Sequence, residues 1–423
     1  MKKLLVLILL PLLSFSLAAC DFFGQTTTTT PVTVDTEPEI FLEIATAAEL
    51  RAMEVTKSYV LTADIDLEGS EWLPIGTAEA PFSGWFDGDG HTISNYVITQ
   101  KNNDFNGLFG IATGKIMDLT ISNFDIDYST SFLSYAGGLA GQMTGDVDNV
   151  TVEGDINVIN LESNTYAGLL TGFHSALLTD TMTVTEFVAG SVSNVSATGS
   201  VFVTTENFAY VGGLIGKAFN IHLEYSDASA VINAVSRNFR VYVGGLIGHN
   251  FSGILAGYED IVESVDITIE RCHAVADIII HEGGTWASAG GLIGYNQYGV
   301  ILDSYAFSNI TLNSDDHHYL GGLIGEDWNG KISNSVAVTN VVLASDDTVA
   351  MNLIVSGLVG SVNSESVVTI SFFAIDFTGA ITSVAGTMVT ADNLASSAWY
   401  EGTLLWDSNA IDIAEAIANL TQD

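Results

Sequence analysis

The chain has 423 residues, with 50 Asp and Glu against 11 Lys and Arg, for a net charge of −39. Nucleic-acid binding is excluded, because phosphate recognition needs clustered cations and the nine basic residues beyond Lys2 and Lys3 are scattered. Only 14% of residues are charged while 48% are apolar, which excludes a wholly disordered chain, and 41 Gly with 5 Pro suit many short strands joined by tight turns.

In chain order, Lys2 and Lys3 precede an apolar run from Leu4 to Leu13, and Leu17-Ala18-Ala19-Cys20 follows. A charged start, a hydrophobic stretch too short to span a bilayer and small residues before a cleavage point predict a signal peptide over residues 1–19. The Leu-Ala-Ala-Cys run resembles a bacterial lipobox, which implies that Cys20 is lipidated, becomes the mature N-terminus and holds the protein at the membrane. The mature charge is then −41, and Cys272 is left without a disulfide partner. Residues 20–39, with Thr26 to Thr30 and two Pro, lack the apolar surface needed to offset ordering entropy and are read as a flexible tether. Residues 40–105 form an N-terminal cap with the first coils, and Thr46 with Glu49 makes a capping box for a short helix over 46–53.

A repeat then dominates residues 106–374. The unit x-Gly-Leu-x-Gly occurs eight times, loosest in the third copy as Gly-Leu-Leu-Thr-Gly, starting at Asn106, Gly137, Gly168, Gly212, Gly244, Gly290, Gly321 and Ser356, with starts 31, 31, 44, 32, 46, 31 and 35 residues apart. A second element of alternating apolar positions follows each of the first seven, as in Ile116 to Ile121 and Val147 to Val152. Fixed spacing with strand periodicity marks a solenoid in which each repeat is one or two coils. Leu108, Leu139, Leu170, Leu214, Leu246, Leu292, Leu323 and Leu358 fill one slot, the pattern of an inward ladder. A closing glycine in all eight copies points to a required conformation or close approach. The predicted fold is therefore an all-β, right-handed parallel β-helix with small helical or irregular caps at both ends. Residues 375–423, helical in pattern near Ala391 to Tyr400 and Ile413 to Leu420, form the C-terminal cap.

These repeats, with Trp72-Leu73-Pro74-Ile75-Gly76 and the segment Pro81 to Ile93 ahead of them, resemble the GLUG-repeat bacterial surface proteins. The resemblance implies a β-helix in secreted or anchored proteins, some adhesin-like and some fused to a zinc peptidase of the immunoglobulin A type. It implies no single activity.

The chemistry of such enzymes is missing. A zinc peptidase needs His-Glu-x-x-His, and the one His-Glu pair, His281-Glu282, has Thr285 where the second histidine belongs. β-Helical lyases and hydrolases need a basic proton acceptor or clustered carboxylates with accompanying motifs. Asp315-Asp316-His317-His318 is the densest acidic cluster, and adjacent strand residues face opposite sides, so Asp315, Asp316 and His317 make a poor metal site and a solvated turn with weak Ca²⁺ binding at most. No cofactor is expected, and the chain is read as a non-enzyme. Cys272 occupies a small inward slot and reads as an inert buried thiol.

Tyr135, Tyr166, Tyr210, Tyr242 and Tyr319 stand two residues before their glycine units. Facing outward they would hold sugar rings or a protein; strand parity favours the core side and a packing role. Copies three and five carry about fourteen extra residues, within Phe173 to Gly190 and His249 to Asp266, and Phe173, Phe251 and Tyr258 there join the tyrosines as ligand candidates. The expected function is a lipid-anchored, extracytoplasmic recognition scaffold for glycans or proteins. A carbohydrate-active enzyme on the same scaffold and a structural envelope lipoprotein are the alternatives.

Overall fold

The computed structural model describes residues 38, 40–100, 104–176, 190–253, 267–281, 286–313, 317–343, 353–376 and 385–389. The described chain is all-β apart from one short helix, and strands pair in parallel with their counterparts one repeat away. The protein is a parallel β-helix. Each repeat is one coil, as the partners Tyr135↔Tyr166, Gln142↔Phe173 and Val150↔Val195 show. Successive coils therefore rise by roughly 4.8 Å.

The second coil gives the plan. Ser134–Ala136 lies in an eight-stranded sheet that precedes the glycine unit, and Ala140–Met143 lies in an eight-stranded sheet that follows it. Val147–Asn160 lies in the long-strand sheet, to which the N-terminal strands also belong. Leu42–Ile44 pairs with Tyr59–Leu61, and Ile65–Glu71 pairs with Thr92–Ile98, which in turn pairs with Ile116–Thr130. The helix Ala47–Arg51 is capped as its sequence requires, with the Thr46 hydroxyl accepting from Glu49 N–H at 3.3 Å. It buries Leu50 and sets Arg51 5.3 Å above the buried Trp72 ring. The two C-terminal helical patterns, the signal peptide, Cys20 and the tether apart from residue 38 fall outside the described residues.

The eight repeat leucines are all 0% exposed. Burial of each contributes about 1.5–3 kcal/mol. Their backbones form a second ladder, with Leu170 N–H donating to Leu214 O and Leu214 N–H to Leu246 O, both at 2.9 Å. The closing glycines join the two eight-stranded sheets. A Cβ on Gly172 would sit 2.6 Å from Ala136 N, and one on Gly248 would sit 2.5 Å from Val211 N. The sheets thus meet backbone to backbone along a seam with no side-chain layer, which only glycine permits.

The second element is bent. Its third residue turns left-handed in eight successive coils, at Asp118, Asn149, Asn194, Tyr225, Arg271, Asp303, Asn334 and Ile370, with φ between 45° and 55°. Asn and Asp take this conformation readily because their short side chains hydrogen-bond locally; Tyr225, Arg271 and Ile370 do not share that advantage. The next residue in each coil is buried, and in the later coils it is serine or Cys272. Ser304 and Ser335 each donate to the carbonyl two residues earlier, at 2.7 and 2.9 Å, and accept from the N–H of the preceding coil. Cys272 plays the same part, donating to Glu270 O at 3.2 Å, and burial pushes its thiol up to about 12. Its burial leaves it inert.

Candidate functional site

The tyrosines do not point into the core. The glycine seam bends the chain, which breaks the simple strand parity, and their side chains stack outside the buried cluster. Phe105, Tyr135, Tyr166 and Tyr210 follow one another with centroids 4.8, 4.6 and 4.6 Å apart and planes within 14° of parallel. Tyr242 continues the row 5.3 Å beyond Tyr210. Ser288 interrupts the pre-glycine column here, and Tyr295 from the opposite sheet takes over, 5.4 Å from Tyr242. Tyr319 stands beyond the gap and packs on Trp286 at 5.9 Å.

The post-glycine sheet supplies the other wall. Its matching column is Gln142, Phe173, Lys217, His249, Tyr295 and Glu326. Phe173 lies 6.1 and 6.3 Å from Tyr135 and Tyr166, and His249 lies 5.7, 5.5 and 4.9 Å from Tyr210, Tyr242 and Tyr295. The two columns form a notch along the solenoid axis. Two residues further on, the same face carries Phe219 and Phe251, stacked at 5.3 Å, with the exposed Tyr298 at an edge to Phe251.

Electrostatics single out the middle of the notch. Lys217 Nζ sits 5.3 Å over the Tyr210 ring, and burial lowers its ammonium to about 8. Among the described residues no carboxylate forms an ion pair with it. His249 is 8% exposed; neither ring nitrogen makes a well-formed hydrogen bond, although the Gln297 side chain lies beside the ring. Burial, and then the charge of Lys217, hold His249 neutral. Arg240, by contrast, is satisfied: it stacks on Trp286 at 4.7 Å and reaches Glu326 at 3.5 Å. Glu326 in turn accepts from the Ser288 hydroxyl at 3.0 Å. Burial raises the phenols of the row, Tyr166 to about 12.

The structure brings together Tyr135, Tyr166, Tyr210, Tyr242 and Phe173, sets Phe251 on the neighbouring column and leaves Tyr319 beyond the gap. Tyr258, Asp315 and Asp316 lie outside the described residues, and only the backbone of His317 is described, in the strand His317–Gly321. Among the described residues, no three His, Cys, Asp or Glu side chains are placed to hold a metal ion. Sequence reasoning missed Lys217, His249 and Tyr295. Each stands one residue past a closing glycine, and that fixed offset was the available signal.

Residues 133–157, one strand from each sheet of the second coil, match the GLUG motif. Halomucin of Haloquadratum walsbyi is 35% identical over 138 residues, 28% of this chain and 2% of that protein. A candidate Gly-rich membrane protein of Evansella cellulosilytica is 34% identical over 97 residues, 22% of this chain and 11% of that protein. The chain therefore spans only a small part of these relatives. A crystal structure of a candidate immunoglobulin A1 protease from Bacteroides ovatus aligns over 84% of this chain and 86% of its own, at 18% identity and a TM-score of 0.40. From its sheets and its repeat, the chain is a parallel β-helix protein carrying the GLUG motif.

Proposed function

We propose that this protein is displayed on the extracytoplasmic surface of a bacterium, anchored by lipid on Cys20, and recognises an extracellular glycan or protein through the notch between its two eight-stranded sheets. One observation carries the reading: a continuous row of stacked aromatic rings runs between the two eight-stranded sheets, outside the core cluster. The names of the relatives, halomucin and a Gly-rich membrane protein, support a surface location. Among the described residues no helix is long and apolar enough to cross a membrane. The Leu17-Ala18-Ala19-Cys20 run supplies the proposed attachment instead.

The test is an array of glycans and matrix proteins probed with the purified chain. Binding that weakens when Tyr166 and Tyr210 are replaced by Ala supports the reading. Binding unchanged by that double substitution removes the notch from it. Cleavage of an arrayed sugar would favour the enzyme alternative.

A further inference from the structure

Lys217 is an anomaly in a chain with 50 acidic residues. Its ammonium is drawn out of water into an aromatic setting, yet among the described residues it has no ion pair. A desolvated cation without a counter-ion is costly, and a bound anion removes that cost. The adjacent side chain in the next coil, His249, independently points the same way, since with only Gln297 beside it neither buried ring nitrogen makes a well-formed hydrogen bond among the described residues. A neutral imidazole offers one N–H donor and one acceptor. Two groups that want an oxygen-rich partner thus sit one coil apart, between rings that exclude water.

We propose that the notch at Lys217 and His249 is a subsite for the carboxylate of an acidic sugar unit, with Lys217 as its counter-ion and the His249 N–H as its hydrogen-bond donor. This rests on the recognition reading above and names its ligand class. A saccharide fits better than an acidic peptide for a geometric reason. Strands on both walls are hydrogen-bonded to neighbours on either side, so an extended peptide finds no free edge to pair with at this position. The stacked tyrosines cover one another's faces, so what the row leaves for a ligand is ring edge and hydroxyl, groups that suit a chain of sugar hydroxyls, although the Tyr242 hydroxyl also accepts from Arg240 at 3.5 Å.

The experiment is calorimetric titration of the full chain with three probes: a uronic-acid oligosaccharide, the same oligosaccharide with its carboxyl groups reduced to alcohols, and a glutamate oligopeptide. The acidic sugar should bind at least tenfold more tightly than the reduced one. Lys217→Gln should abolish that preference, Lys217→Arg should keep most of it, and His249→Phe, which preserves ring packing, should weaken acid-sugar binding severalfold. Circular dichroism confirms that each variant is folded. Equal binding of the acidic and reduced sugars, or an unaltered preference in Lys217→Gln, overturns the proposal. So does preference for the peptide. Array binding to neutral glycans, with no response to the acidic sugar, overturns this inference and leaves the broader recognition reading standing.

Discussion

The first three coils and the four that follow fill the same interior volume in opposite ways. In coils four to seven the second residue of the unit is Gly213, Gly245, Gly291 and Gly322, and the facing slot in the long-strand sheet holds Ala230, Ala276, Ser308 and Thr339. Backbone approaches small side chain, and the fit repeats. In the first coil the facing slot holds Phe124, whose ring extends under Gly138 and Gly154 of the second. In the third coil the second residue is Leu169, and the slot in register is Gly199. Buried Trp72, Phe82, Phe86, Tyr96 and Phe109 continue the large-residue solution toward the N-terminus. The shared backbone plan specifies a volume per coil, and either side of the coil can supply it.

The sharpest way to break this comparison is to give a later coil the solution of the third. Gly245→Leu should destabilise by more than about 4 kcal/mol, because even a Cβ there would lie 2.0 Å from Gly291 O. Adding Ala276→Gly should restore only part of that loss in urea unfolding, since the carbonyl remains. Full restoration would mean that the slots are interchangeable.

Phe124→Ala comes next, at about 3–5 kcal/mol. Its walls are two glycines and Tyr96, stacked 5.7 Å away, so nothing nearby is able to collapse into the space. A loss under 1 kcal/mol would show that the early coils repack freely. The large-residue coils also carry buried phenols, Tyr96 and Tyr128, both raised by burial. A folded-state phenol raised above its unfolded value of 10 contributes stability fully present below pH 10 and lost as pH rises through the folded value. Alkaline titration should therefore show Tyr96 and Tyr128 ionising only together with loss of the strand signal. Smallest is Ile370→Asn. A β-branched residue sits left-handed at 62% exposure, and its replacement should stabilise by about 1 kcal/mol.

The leucine and closing-glycine ladders were legible because each recurs at a fixed place in every copy. The left-handed corner was half legible: Asp118, Asn149, Asn194, Asp303 and Asn334 are residues that favour it, while Tyr225, Arg271 and Ile370 hide the pattern. The side taken by the tyrosines was misread because period-two parity assumes a straight strand, and the glycine seam supplies a bend. The fit of the Phe124 ring against Gly154 was invisible for another reason. Their fit is a property of volume between positions thirty residues apart, and no local pattern records it.

The corner and seam together also bear on how such an array grows. In coils four to seven both halves of each volume match belong to one coil, as with Gly291 and Ser308. Copying or excising one such repeat at its turns carries the match intact, so these coils behave as self-sufficient units of duplication. The ring of Phe124 crosses from the first coil into the second. Those two coils form a single heritable block, and recombination between them leaves either a void or a clash. Length variation in this architecture should therefore concentrate after the third coil.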